Sequence, residues 1–289
     1  MQPTEDEILT ALAHYRATIR QHNHLAFQRF VRHAETAEPA PETASSMSAR
    51  GIADARTRSL YRLLDVDEHP DTLDPALQLS APGDVHAKWE ALEPAFALDG
   101  AHVRGDEEQR ARLRAAYKSG IETGLRRAGV GDLLFPADFA VLVGAVDSLE
   151  GHGWPLLREE GRQTRVWEGL GEDADDVADR VYGPDDDLAE EACMGQEGWE
   201  ALAGWECGRG PEMKCFAVYC RKEDAGEEWA WRYVTEAGQY GWNIFDNVVE
   251  LLRWYERENM PGLWYLDNDI SSYMGDIFNV LPKSKWKHD

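Results

Sequence analysis

Apolar residues recur at helical spacing from the start of the chain. Ile8, Leu12, Tyr15, Ile19, Ala26 and Phe30 fall on one stripe. Thr4, followed three residues later by Glu7, is a capping box: the hydroxyl accepts from the backbone ahead and the carboxylate reaches back. The periodicity then lapses. Residues 34–49, rich in Pro, Ala and Ser, read as a mobile linker. It returns over 50–64, with Ile52, Leu60, Leu63 and Leu64 inward. After a Pro-punctuated stretch from His69 to Pro82, further helices are predicted over 85–97 and, strongly charged, from Asp106 to Ala128.

Beyond that point the period changes. A short helix begins near Pro136, where proline suits the first turn, and carries Phe139, Leu142 and Val143. Trp199–Cys207, Met213–Arg221 and Glu228–Thr235 are rich in aromatic and β-branched residues and read as strands, the last two pairing as a hairpin across the polar loop 221–228. Asp246 is then placed to cap a helix with Val248, Leu251, Leu252 and Tyr255 inward. Helix, antiparallel strands, helix is an α+β order with a mostly antiparallel sheet flanked by helices.

Charge sharpens the division. Residues 1–128 hold 16 basic and 20 acidic side chains, net −4, whereas 129–289 hold 14 and 34, net −20. Ten of the eleven tryptophans also follow Gly129. The expected organisation is therefore a helical region over 1–128 and an α+β domain with a C-terminal helical extension over 129–289.

A total of −24 opposes nucleic-acid binding, which needs clustered Lys and Arg. No apolar run approaches a membrane span, the longest being Phe139 to Val146. The acidic start MQPTEDEI and the absence of any Asn-x-Ser/Thr sequon predict an intracellular, cytoplasmic chain. In a reducing compartment Cys193, Cys207, Cys215 and Cys220 read as buried small apolar residues.

Catalytic signatures are missing from the sequence. There is no P-loop, no Gly-x-Ser-x-Gly and no His-Glu-x-x-His. Gly129 and Gly131 begin a dinucleotide-type pattern that Leu134 breaks at the third glycine. His22 and His24, two apart on a helix, point to different faces, and the cysteine spacings fit no zinc site. Asp267, Asp269 and Ser271 imitate a calcium loop, but Ser272 replaces its glycine and Phe278 its last ligand. A pairing of His152 with Cys193 or Cys207 has no pattern behind it. The expectation is no catalytic residue, no metal and no cofactor, the alternative being a hydrolase or nucleic-acid-modifying enzyme whose carboxylates assemble only in the fold.

Two features suit a partner surface. Between Glu172 and Glu191 ten carboxylates, among them Asp185, Asp186, Asp187, Glu190 and Glu191, face a single Arg180. Such a run is a solvated, self-repelling loop or an electrostatic face for a basic protein. Trp229 and Trp231 share one strand face, as core or as contact area. Lys283, Lys285 and Lys287 in the tail read as solubilising.

Leu134-Phe135-Pro136-Ala137-Asp138-Phe139, followed by Leu142, Asp147 and Gly151, resembles the opening of the SMI1/KNR4 domain in the SUKH superfamily. The CFAVYCRK and WAWRYV strands and the closing FDNVVELLRWYE resemble that domain's late strands and final helix, so the similarity covers residues 129–258. Phe135 stands where the family has Leu, and Ser148-Leu149-Glu150 interrupts its Asn-Gly. The resemblance implies a non-enzymatic intracellular interaction module, either regulatory or of toxin-immunity type. Together with the charge, it predicts a basic protein partner engaged through Asp185, Asp186, Asp187, Glu190, Glu191, Trp229 and Trp231.

Overall fold

The computed structural model describes residues 2–64, 66, 70–103, 106–150, 165–167, 174–186, 188, 192, 198–209, 214–223, 226–236, 242–258, 270 and 277–279. The chain forms two compact units, each assembled from separated segments. A helical unit comprises Ala17–Gly100, His152–Arg162 and Met260–Asp289; a sheet unit comprises Met1–Arg16, Ala101–Gly151 and Gln163–Asn259. The composition boundary at Gly129 falls inside the sheet unit. Charge and tryptophan content follow local sequence, whereas a unit is defined by which segments bury one another.

In the helical unit, α1 (Glu5–Thr36) contributes its later turns, and α2 (Pro41–Ala44), α3 (Ala49–Leu63), α4 (Asp84–Ala87) and α5 (Trp89–Ala95) follow. Phe27, Phe30, Leu60, Leu63, Val85 and Leu92 are buried in its core. Ser48 caps α3 by accepting from Gly51 N at 3.1 Å. The stretch read as a linker contains the turn of α2, opened by Pro41, and Arg56 donates to the carbonyl of Ala37. The helix expected over 85–97 is two helices. Lys88 leaves helical geometry between them, with its ammonium donating to the Pro75 and Gln78 carbonyls.

The sheet unit takes the first turns of α1, then β1 (Ala101–His102), α6 (Glu107–Arg127), α7 (Ala137–Ala145), β2 (Ser148–Glu150), β3 (Arg165–Trp167), α8 (Ala174–Ala178), β4 (Val181–Tyr182), β5 (Trp199–Arg209), β6 (Lys214–Lys222), β7 (Ala230–Glu236), β8 (Trp242–Phe245) and α9 (Val248–Glu258). β1, β2 and β3 form a small antiparallel sheet; β4 to β8 form a five-stranded one in chain order, every pair antiparallel. This is the α+β class expected. The hairpin forms with Cys215 opposite Thr235 and Cys220 opposite Ala230.

The pleat sorts the larger sheet into two covered faces. On one, Phe216, Val218, Cys220 and Val234 lie beneath Leu188 and Ala192. On the other, Trp205 and Tyr233 meet Phe139 of α7 at 5.9 and 5.8 Å between rings, and Trp205 Nε1 donates to the Tyr117 hydroxyl of α6 at 2.9 Å. Cys207, Cys215 and Cys220 are buried thiols of this core, as expected. Burial pushes the Cys220 thiol up to about 11, against the opposing pull of the Arg232 guanidinium. No described helix is long and apolar enough to cross a membrane.

Candidate interaction surface

The described residues of the acid run, 174–186 and 188, together with Ala192 just beyond it, pack into the fold. Interspersed apolar residues anchor them: Val177 and Ala178 are buried, Val181–Tyr182 pairs with Trp205 and Gly204 as the sheet's edge strand, and Leu188 and Ala192 cover the sheet. Residues 174–182 thus run from α6 to the β4 edge, and Leu188 and Ala192 lie on a sheet face. The seat of α8 on α6 is made by two glycines. A Cβ on Gly120 would lie 2.6 Å from the Ala174 carbonyl oxygen, and one on Gly124 2.6 Å from that of Ala178, so no larger residue allows α8 this close.

Several carboxylates of the run are engaged within the molecule. Arg127 at the end of α6 bridges Asp175 and Asp179, each at 3.0 Å. Asp186 Oδ2 accepts from the backbone N–H of Gly183 at 2.6 Å and closes a turn. Asp176 and Asp185 are exposed. Asp187, Glu190 and Glu191 lie outside the described residues, as do Cys193, His152, the tail lysines and Asp267, Asp269, Ser271 and Ser272 of the calcium-like pattern.

Trp229 and Trp231 lie on one sheet face, as their spacing predicts, although Trp229 stands just before β7. Both are half-buried. Tyr219 of β6, opposite Trp231, connects them: it stacks on Trp229 with ring centroids 5.8 Å apart and tilts toward Trp231 at 5.4 Å. The Arg221 guanidinium lies over the Trp229 ring at 4.9 Å and is held by Glu200. Trp231 also reaches inward to Trp205, at 5.3 Å, and its Nε1 donates to the Leu134 carbonyl at 2.9 Å. Leu134 itself is 77% exposed. The result is a ledge of three rings with an aliphatic residue standing free beside it. Three strand spacings, about 14 Å, separate β7 from β4, so the ledge and the acid segment are distinct patches.

Leu134 was missed as a surface residue because the sequence marks it only as an apolar residue opening a motif. The rest of that motif is structural. Asp138 Oδ1 accepts from the Tyr233 hydroxyl at 2.8 Å and from Phe139 N at 2.9 Å, while Oδ2 accepts from Val248 N at 3.0 Å. One carboxylate therefore ties the start of α7 to β7 and to the start of α9. Burial, reinforced by the Asp138 charge, pushes the Tyr233 phenol well above its ordinary value, so it stays a donor.

Asp246 is not the cap of α9. Asn247 Oδ1 accepts from Glu250 N at 3.0 Å, so the cap lies one residue later, and Glu250 reaches back to accept from the backbone N–H of Asp246. The Asp246 carboxylate instead accepts from Arg232 Nε at 3.0 Å. Arg232 is buried in the sheet, also donates to Glu227 and to the Cys220 carbonyl, and lies over Trp199. A buried guanidinium demands counter-charge, and Asp246 and Glu227, each at 3.0 Å, supply it.

No group of three or more metal-ligating side chains occurs among the described residues. One concave feature among the described residues was not anticipated: an open groove bordered by the first turns of α1 and by Arg253 and Glu256 of α9. Comparison of the chain with protein-family models, with curated proteins and with solved structures finds no match, so the case for a function rests on the chain's own geometry.

Proposed function

We propose that this chain is a non-catalytic protein-interaction module of the SMI1/KNR4 type, regulatory or toxin-immunity-like, that engages a basic protein partner. The observation that carries the reading is the exposed Leu134 beside the half-buried Tyr219, Trp229 and Trp231. Rigid aromatic area with an aliphatic neighbour and a charged rim is the composition of an interface hot spot. The sign of the partner follows from the net charge of −24, which accelerates association with cations and disfavours acidic proteins. The family reading is further supported by the join at Asp138, through which the opening motif and the closing helix meet on one antiparallel sheet.

The test is affinity capture from a lysate of the cells of origin, eluted by a salt gradient. Asp186 is unsuited to charge reversal because it closes the Gly183 turn; Asp176 and Asp185 are the cleaner positions. Wild type is expected to retain a basic protein that elutes early in the gradient. Asp176→Lys with Asp185→Lys should retain about tenfold less of it under association-limited loading, and Trp229→Ala should release it faster. Identical capture by all three baits would refute the reading.

A further inference from the structure

Strands β5 and β6 pair with Glu206 opposite Phe216 but with Gly208 opposite Cys215, so β5 carries one extra residue, a bulge at Cys207. Cys207 and Gly208 together oppose Cys215, and Gly208 brings no side chain to crowd the space between the two sulfurs. By the alternation of the pleat Cys207 shares the face of Trp205, and Cys215 shares the face of Ala217, the partner of Trp205. The two thiols are therefore on the same side of the sheet. Cys220 is on the other, with Phe216 and Val218.

The sulfurs are also in contact. The Cys207 thiol donates to the Cys215 carbonyl at 3.4 Å and is hydrogen-bonded to the Cys215 thiol. Residues opposed across an antiparallel pair stand about 4.5–5.5 Å apart at Cα, inside the range of roughly 4.4–6.8 Å that a disulfide spans. Both thiols are buried. Burial foremost, then the Cys215 thiol, pushes the Cys207 thiol well above its ordinary value, so the closed fold holds little thiolate. Reaction therefore waits on opening of the ribbon end. That end is near: Arg209 and Lys214 form the one described pair of the ladder beyond Gly208 and Cys215.

We propose that Cys207 and Cys215 are a peroxide-oxidisable dithiol that closes to a cross-strand disulfide without unfolding of the chain. On local opening, one cysteine loses its proton and its sulfur attacks a peroxide oxygen; an S–O bond forms, the O–O bond breaks and hydroxide leaves. The second thiolate attacks that sulfur, the S–S bond forms, the S–O bond breaks and a second hydroxide leaves. Two electrons pass from the sulfurs to the peroxide, and the two thiol protons complete two waters. Closure fixes β5 to β6 two residues from Trp205, the ring that Trp231 of the ledge meets. The chemistry of the pair does not depend on the interaction-module reading.

The experiment treats the reduced full chain with hydrogen peroxide under native conditions, quenches it, and alkylates the remaining thiols in denaturant. Intact mass and a non-reduced peptide map then locate every cysteine. Two of the four thiols are expected to escape alkylation, in one linked peptide that joins Cys207 to Cys215 and is released by dithiothreitol. The link should persist in Cys220→Ser and vanish in Cys207→Ser and in Cys215→Ser. Four alkylated thiols after peroxide, sulfinic acid at Cys207 or Cys215 with no link, or a link made through Cys193 or Cys220 would each overturn the assignment. So would a Cys207–Cys215 link that forms only when the peroxide is added in denaturant. The wild-type map decides these outcomes by itself, whether or not the serine variants fold.

Discussion

At the scale of single residues, two side chains hold the sheet unit and the helical unit to definite chemistry. Asp138 accepts three hydrogen bonds from three elements, and no neutral isostere reproduces them. Asp138→Asn turns an N–H toward a backbone donor, either Val248 N or Phe139 N, and should cost about 1–3 kcal/mol, read by urea denaturation. A loss within 0.5 kcal/mol, about the size of an ordinary surface substitution, would show that the tether is dispensable. In the helical unit, burial lowers His22 to about 4, with the Arg29 charge adding to it. The unfolded chain takes up a proton near pH 6.5 that native His22 refuses, so its contribution is present above 6.5 and is lost as pH falls toward 4. The full effect is up to about 3 kcal/mol. Burial lowers His33 and His86 in the same direction. Calorimetry of the full chain should therefore show the melting temperature falling between pH 6.5 and 4, with a shallower fall in His22→Gln.

At the scale of elements, the informative contact is α8 on α6. An exposed helical Gly→Ala substitution ordinarily stabilises by up to about 1 kcal/mol. At Gly124 the new Cβ would meet the Ala178 carbonyl and the Val181 side chain well inside contact distance, so the sign reverses. Gly124→Ala is expected to lower the melting temperature and to speed proteolysis within 174–192; a raised melting temperature would contradict this packing. The same contact explains how the described part of the acid run, residues 174–186, packs despite its charge. A segment with so many carboxylates repels itself, but Val177, Ala178, Leu188 and Ala192 each remove apolar surface from water, and Arg127 offsets two of the charges. Charge counting along the chain sees the repulsion and not the anchors, because four apolar residues spread over sixteen have no helical or strand period.

At the scale of the whole molecule, an excess of 24 negative charges makes any encounter with a basic partner sensitive to ionic strength over a Debye length of about 8–10 Å. Ion pairs on so acidic a surface are also partly internal, as at Arg127 and Arg221, so the field outside is set by the carboxylates left over. Much of this was determined by the amino-acid sequence alone: the capping box at Thr4, the helical stripe of α1, the β6–β7 hairpin, the shared face of Trp229 and Trp231, and the α+β order. These depend on neighbours within a turn of helix or on the alternation of a pleat, and local stereochemistry is legible in local sequence. The tertiary structure alone decided the rest. Asp138 finds Tyr233 and Val248 across 95 and 110 residues, and His14 finds Glu256 across 242. The two units, the anchored acid segment, the ledge beside Leu134 and the groove all arise from such meetings, which no spacing along the chain encodes because they form only where separated apolar faces share one core.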